Sequence, residues 1–518
     1  MADTTENIAG PVSAGLSEGA VNAQAEPTVA SFDRHLRTDH LMVDLKGHAV
    51  RGGTVTVIAQ AAKFILQTIS AIVLSRLISP ADFGLVAMVT AITAFMYSFN
   101  DLGLSMATIQ RAEITHAQTS TLFWINVALG LAIAVITAGL APAISWFYGE
   151  PRLLVITLVL ASAFIFGGLS AQHIALLRRQ MRFAALAVVD IGSTLIGFIA
   201  AVVLAFWGAG YWALVAYSMV ATASGAGAAW LASEWRPGWW SRSAGVREMV
   251  AFGGNLTGFS IMNYFARNLD NVLIGRVWGS VALGYYARAY NLMMLPLLQI
   301  NEPISAVALP CLSRLQEEPP RYRSAYLKFL TLIATITIPG VTFCLVMGYD
   351  LVLLVLGKQW AESARIFQVL ALAALVQPVT RTNGLLFVST GRAKLMMQTG
   401  VASTAAVIIC FFVGLPYGAI GVAWSYAVVS WLLMVPILWI ACSGTAVRFG
   451  GILASVWRPI VTAILITGLL ILIRPFLGET NRVVRLGACA AVAGSTWLLA
   501  GTFLAGQVRP DRWIRSLL

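Results

Sequence analysis

The chain has 518 residues, of which 58% are hydrophobic and 11% charged, and its mean hydropathy is +0.80. Soluble domains carry about 25% charged residues, so an ordinary globular protein is excluded and the bilayer is the expected solvent. The formal net charge of +12 does not point to nucleic acid, because the cations cluster at the ends of apolar runs, where anionic headgroups are the nearer partner.

Residues 1–50 are polar and acidic, with no apolar run ahead of a cleavage site, and read as a disordered cytoplasmic tail. Fourteen apolar runs follow, each near the ~20 residues that carry a helix across the hydrocarbon. Six, at about 52–76, 82–106, 118–142, 152–174, 183–207 and 208–231, make a first bundle, 51–232. A cytoplasmic linker at 233–246 leads to six more, at about 247–275, 280–310, 325–347, 363–390, 395–414 and 417–441, in a second bundle, 247–441. A second cytoplasmic linker covers 442–458, two extra spans lie within 459–506, and a basic cytoplasmic tail covers 507–518.

The two bundles repeat one another. At an offset of 200 residues IVLSRLISPADFGL (72–85) overlays VLIGRVWGSVALGY (272–285), with Arg76 on Arg276 and Gly84 on Gly284. Farther along, GAGYWAL begins at Gly208 and GAIGVAW at Gly418. Six spans separate the copies, an even number, so the repeat is parallel. The fold class expected is an all-α polytopic membrane protein with about 14 transmembrane helices, as two pseudo-symmetric six-helix bundles plus two C-terminal helices. Recurrence of small residues for helix packing is the competing explanation of the match.

Positive side chains are retained on the cytoplasmic side during insertion. With the N-terminus inside, the clusters Arg178/Arg179/Arg182, Arg236/Arg242/Arg247, Arg314/Arg321/Arg323/Lys328 and Arg509/Arg512/Arg515 are cytoplasmic, and so are both termini. One external loop, with Arg474, Arg482 and Arg485, runs against the pattern. The five cysteines lie far apart without ligand spacing and read as packing residues.

A charge in the hydrocarbon costs roughly 2.5–3.5 kcal/mol on insertion scales, so it faces a wet cavity or a partner. Within the spans stand four cations, Lys63, Arg267, Arg288 and Arg381, and four acids, Asp101, Asp190, Asp270 and Glu302. Arg267 and Arg288 fall at one level, roughly 12 Å below the outer helix ends. Two like charges at one depth favour an anion between them, and guanidinium forks suit a diphosphate. Lys63, Arg267, Arg288 and Arg381 are therefore the candidate substrate-binding residues. Asp270 and Glu302 are the candidate ion-coupling residues, Glu302 because Pro303 is expected to break its helix in a cavity wall. Bland alternatives stay open: an Arg267–Asp270 structural pair at i, i+3 and an outward-snorkelling Arg288. Asp101 and Asp190 read as helix-end or loop-pairing groups, and His173 as a packed or headgroup-facing residue.

No nucleotide-binding loop, histidine ligand pair or paired acidic motif appears, so neither an enzyme nor a bound cofactor or metal is expected. A membrane glycosyltransferase or polymerase needs a larger external region than the longest loop expected, 348–362. A cation-coupled small-molecule antiporter needs an acidic cavity rather than a basic one.

The runs LSRLISPADFGLVAMVTAITAF, DLGLSMATIQR, LDNVLIGRVWGSVALGYYARAYNL and PISAVALPCLSRLQ resemble those of bacterial polysaccharide and O-antigen flippases. These form the Wzx-like branch of the multidrug/oligosaccharidyl-lipid/polysaccharide exporter superfamily. The resemblance covers about residues 51–441 and implies an inner-membrane transporter of an undecaprenyl-diphosphate-linked oligosaccharide, with membrane lipids, a polysaccharide polymerase and export machinery as further partners.

Overall fold

The computed structural model describes residues 45–504 except 98, 101–102, 112–113, 242–246 and 479–480, with side chains from Gly52 onward apart from those of 247–267 and 501–504. Asp101, the tail at 507–518 and all of the N-terminal tail but its last six residues lie outside the described residues.

Helices account for the spans, since only internal hydrogen bonding satisfies an open backbone in lipid. In the first half they are α1 (Leu45–Leu77), α2 (Pro80–Tyr97), the short α3 (Leu104–Gln110), α4 (His116–Tyr148), α5 (Arg152–Ala161), α6 (Ala163–Arg179), α7 (Phe183–Phe206) and α8 (Tyr211–Ala232). The stretch Arg247–Arg314 turns at Gly279, whose φ of 78° suits a residue without a Cβ, and so divides into α9 (247–278) and α10 (280–314). Then come α11 (Pro319–Val355), α12 (Ala361–Ala374), α13 (Gln377–Ser389), α14 (Ala393–Gly414), α15 (Gly418–Cys442), α16 (Phe449–Ile473) and α17 (Arg482–Leu504). Helices α5 and α6 together make one span, and so do α12 and α13, which meet at a 45° bend. Counted in this way, the described residues contain the fourteen spans expected.

Two expectations fail. No break occurs at Pro303: the only non-helical backbone inside 247–314 is at Gly279, and α10 continues through Pro296, Pro303 and Pro310. Nor is 348–362, expected as the longest of the short external loops, a loop for most of its length, because α11 runs on to Val355 and a 3-10 turn, Lys358–Trp360, leads directly into α12. The helix continues through Asp350, and the apolar run Leu351–Val355 forms its last turns.

The repeat is visible as swapped contacts. A Cβ on Gly84 would stand 1.7 Å from the Ser280 carbonyl oxygen, and one on Gly284 would stand 1.9 Å from that of Pro80. Since 280 and 284 are 80 and 84 shifted by 200, each half makes the same contact on the other, the mark of a pseudo-twofold axis through the α2–α10 crossing. Arg76 obeys the same rule. It donates to the Leu354 and Val355 carbonyls at the end of α11, the third span of the other half, while Arg276 lies over Phe147 at the end of α4. Gly208 and Gly418, aligned in the second motif, share a left-handed φ of 75° and 79°.

Burial divides the molecule along its length. Near the Ser79 and Gly279 turns one core joins both halves, with Leu85, Met88, Tyr148 and Ile156 from the first and Leu283, Tyr286, Trp360 and Phe367 from the second. We call this the fused end. At the opposite, split end each half has a core of its own: Leu104, Leu122, Phe123, Leu176 and Trp235 in the first, and Leu312, Tyr326, Phe329, Leu386 and Leu438 in the second. Short α3 also touches the 247–314 stretch.

Helices α16 and α17 pack against α11 through Met347, Ile466, Leu470, Leu486 and Cys489. A charged clamp reinforces them. Asp350, nearly buried, accepts a hydrogen bond from Arg485 and stands 3.8 Å from Arg474. Two of the three arginines that violate the charge pattern thus have an acidic partner in α11.

Candidate functional site

The space between the halves is closed at the fused end by polar contacts layered on the apolar core. Arg288 of α10 donates through Nε and Nη2 to Ser75 Oγ at 2.8 and 2.7 Å and through Nη2 to the Ala71 carbonyl at 2.7 Å. Its guanidinium also lies 4.4 Å from the Phe83 ring centre, which compensates a desolvated cation. From the α11–α12 turn, Trp360 Nε1 and Gln359 Nε2 donate to the Ser75 carbonyl at 2.7 and 2.6 Å. Helix α1 is therefore fastened to the second half at one point of its length, around Ser75.

Asp270 sits at the level of Arg288, each nine residues or ~13 Å from Gly279. Its carboxylate accepts from the Tyr286 hydroxyl and from the Asn271 amide, both at 2.8 Å. The expected partner, the Arg267 side chain, lies outside the described residues.

Farther from the fused end the halves contribute one cation each. Lys63 lies sixteen residues, ~24 Å, from Ser79. Its ammonium is 3.4 Å from Asp190 Oδ2 of α7, so Asp190 pairs with a span residue rather than a loop. Arg381 of α13 donates to Gln377 Oε1 at 2.9 Å, and its Nη2 is 3.8 Å from Met294 Sδ on α10, fifteen residues past Gly279. Arg381 thus lies near the level of Lys63.

Arg381 differs from the other cations in two respects. It is exposed, where Arg288 is held inside by Ser75 and Ala71, on a helix whose remaining residues are nearly all buried, and unlike Lys63 it makes no ion pair among the described residues. Along α13 only the stripe Thr380, Arg381, Gly384 and Val388 is open, the spacing of a single helix edge. Buried two residues along α13 is Asn383 and, on α10 two turns past Met294, Asn301, whose side-chain amide groups lack hydrogen-bond partners among the described residues. Each unmet buried group costs about 1–3 kcal/mol, which water or a ligand would relieve. Glu302, expected to be buried, is on the exposed side of α10 together with Pro303, Ala306, Val307 and Pro310.

Hydropathy reading missed Ser75, Gln359, Trp360, Gln377, Asn301 and Asn383. An uncharged amide or hydroxyl in an apolar run costs too little to stand out, and Gln359 and Trp360 were assigned to a loop. His173 is packed, fully buried among Phe123, Trp230 and Trp235. Among the described residues no cluster of three or more His, Cys, Asp or Glu side chains could hold a metal.

A family model described as "Polysaccharide biosynthesis protein" matches residues 73–365, more than half of the chain, with Ser75, Arg288 and Trp360 inside the match. The chain belongs to this family. It is similar to the lipopolysaccharide biosynthesis protein WzxC of Escherichia coli (strain K12), with 27% identity over 75% of this chain and 79% of that protein. The teichuronic acid biosynthesis protein TuaB of Bacillus subtilis (strain 168) is 26% identical over 72% of this chain and 78% of its own. Among solved structures, the lipid II flippase MurJ in an inward closed conformation superposes with a TM-score of 0.69, at 13% identity, over 88% of this chain and all of MurJ. An inward-facing multidrug resistance MATE family transporter gives 0.58 at 12% identity over 78% of this chain and 98% of its own. The family member is thus a multi-pass membrane protein with a MurJ- and MATE-like fold.

Proposed function

We propose that the chain is an alternating-access flippase, not an enzyme. It moves an undecaprenyl-diphosphate-linked oligosaccharide across the bacterial inner membrane for exopolysaccharide, O-antigen or capsule biosynthesis. The reading is supported by the family, by relatives named for lipopolysaccharide and teichuronic acid biosynthesis, and by the likeness of fold to a lipid II flippase. The observation that carries it is Arg381, an exposed guanidinium without a carboxylate partner among the described residues, in a molecule whose two halves share their apolar core at one end and keep separate cores at the other.

Arg178, Arg179, Arg182, Arg314, Arg321, Arg323 and Lys328 lie at the split end, so the positive-inside rule turns that end to the cytoplasm, with both termini. The precursor's diphosphate enters there and meets Arg381, whose planar fork gives bidentate contacts. Lys63 and Arg267 complete the anion path. The polyprenyl tail stays in lipid, so the halves part sideways. Arg288 binds the anion only after Ser75 lets go of it, which couples opening of the fused end to passage of the headgroup. No nucleotide motif is present, and an ion gradient or the membrane potential drives the cycle through Asp270 and Glu302; one charge crossing 100 mV supplies about 2.3 kcal/mol. A polysaccharide polymerase and export machinery receive the product.

Replacement of Arg381 by Ala is expected to abolish surface polysaccharide at unchanged protein level, with Arg381→Lys restoring part, because Lys keeps the charge and loses the fork. Normal polymer export in the Ala variant would overturn the assignment.

A further inference from the structure

The linker between the halves, expected as a cytoplasmic segment at 233–246, is strapped through Trp235, Gly238 and Ser241 along α4. Trp235 is buried against Phe123 and His173, and its Nε1 donates to His116 Nδ1 at 3.1 Å. The Gly238 amide donates to Ser120 Oγ at 2.9 Å, Trp124 Nε1 donates to the Gly238 carbonyl at 2.9 Å, and the Ser241 amide donates to Thr121 Oγ1 at 3.2 Å. Ser120 to Trp124 lie four to eight residues inside α4, so the linker climbs ~6–12 Å along a span instead of leaving its end.

That span shows where the lipid is. Helix α4 has no Asp, Glu, Lys or Arg in its 33 residues, and its large exposed side chains, Trp124, Leu131, Val135, Ile136, Trp146 and Phe147, form one apolar stripe. Trp124 and Trp146 are 22 residues apart, ~33 Å along the helix, close to the ~30 Å hydrocarbon thickness. Indoles collect at the two membrane–water boundaries, so these tryptophans mark both. Gly238 is hydrogen-bonded to the marker at the split end, and the next two residues are Trp239, 91% exposed, and Trp240, 64% exposed. No protein segment among the described residues covers them.

We propose that residues 238–240 are an interfacial membrane anchor, with the Trp239 and Trp240 indoles inserted at the headgroup–acyl boundary of the leaflet at the split end. The occupant is the bilayer itself, and the depth is set by the Trp124–Gly238 bond. In consequence the linker moves with the first half and its lipid, and the second half moves against it.

Fluorescence of the whole protein in lipid nanodiscs, minus that of a Trp239→Phe, Trp240→Phe variant, isolates the two indoles. Lipids brominated at shallow acyl positions are expected to remove most of this difference signal, and aqueous acrylamide to leave most of it. A cysteine-free protein carrying Trp239→Cys with a nitroxide label serves as a second measurement, with Glu234→Cys, more polar and on the same linker, as its reference. The label at 239 is expected to collide with oxygen in preference to a water-soluble nickel complex, and the label at 234 the reverse. A difference signal quenched by acrylamide and untouched by bromolipid, or equal collision profiles at 239 and 234, would overturn the anchor. The surface would then be an aqueous one, open to a protein partner.

Discussion

The fused and split ends are built from the same repeated helices, yet they answer differently to substitution of a small side chain. At the fused end two glycines let the α2 and α10 backbones touch, and Arg76, Arg288, Gln359 and Trp360 donate across the seam. At the split end each half folds over its own aromatic core. A transporter of this design needs one seam strong enough to hold and made of contacts that can all be exchanged at once.

Adding a methyl at the seam is the largest perturbation available. Gly84→Ala sets a Cβ against the Ser280 carbonyl, a backbone atom that cannot rotate away, so α2 and α10 must part. Overpacking of this kind costs about 1–3 kcal/mol or more, enough to shift a two-state equilibrium roughly fivefold to 150-fold. Export is expected to fall, and a cysteine at the nearly buried Ile78 to become reactive toward an impermeant reagent. Gly340→Ala, on an exposed helix side with nothing within 4 Å, is the control and stabilises by about 0.5–1 kcal/mol. Equal reactivity of Ile78→Cys in the two backgrounds would show that the glycine crossing does not govern the seam.

Much of the comparison between the ends could be read in the sequence. Span number, the duplication and the role of Gly84 and Gly284 as aligned landmarks followed from hydropathy and register, because lipid imposes one length on every crossing helix. What could not be read was which face of each helix looks inward. All these helices are apolar on every side, so periodicity carries little information about burial. Lys63 illustrates the loss: its charge makes it a candidate for the cavity, while the acid it pairs with, Asp190, stands 127 residues away on α7. Arg381 survives as a candidate because only its environment, not its charge, separates it from Lys63.

Asp350 tests how the extra pair is tied to the fused end. Asp350→Asn removes the carboxylate between Arg485 and Arg474, leaving Arg485, 18% exposed, without its counter-ion. A fully buried pair broken in this way costs 3–5 kcal/mol; partial exposure of both arginines reduces the expectation to about 1–3 kcal/mol. The protein in detergent should lose several degrees of thermal stability, and Arg474→Ala, removing the longer and more exposed contact, should lose much less. Equal losses in the two variants would mean that Asp350 acts through Arg474, and no loss in either would mean that α16 and α17 are held by their apolar contacts alone.

The smallest expected effect compares the halves where they deviate from their own symmetry. After α13 the chain turns through Gly391, φ 69°, whose amide donates to the Val388 carbonyl while Arg392 N donates to Phe387 O. After α6 the same turn is made by Met181, φ 53°, with its amide on Arg178 O and Arg182 N on Leu177 O. The hydrogen bonds are equivalent, but a Cβ in the left-handed region costs roughly 1–2 kcal/mol that glycine does not pay. Gly391→Met should therefore destabilise by about that amount, with no steric contribution, since nothing lies within 4 Å of its Cβ position. Met181→Gly should fall between neutral and about 1 kcal/mol stabilising, the relief of strain being partly offset by the unfolded-state freedom of glycine and by lost packing of a half-buried side chain. Thermal melts of the two variants decide it: a stabilising Gly391→Met or a strongly destabilising Met181→Gly would mean that side-chain packing, not backbone handedness, selects the residue at this turn.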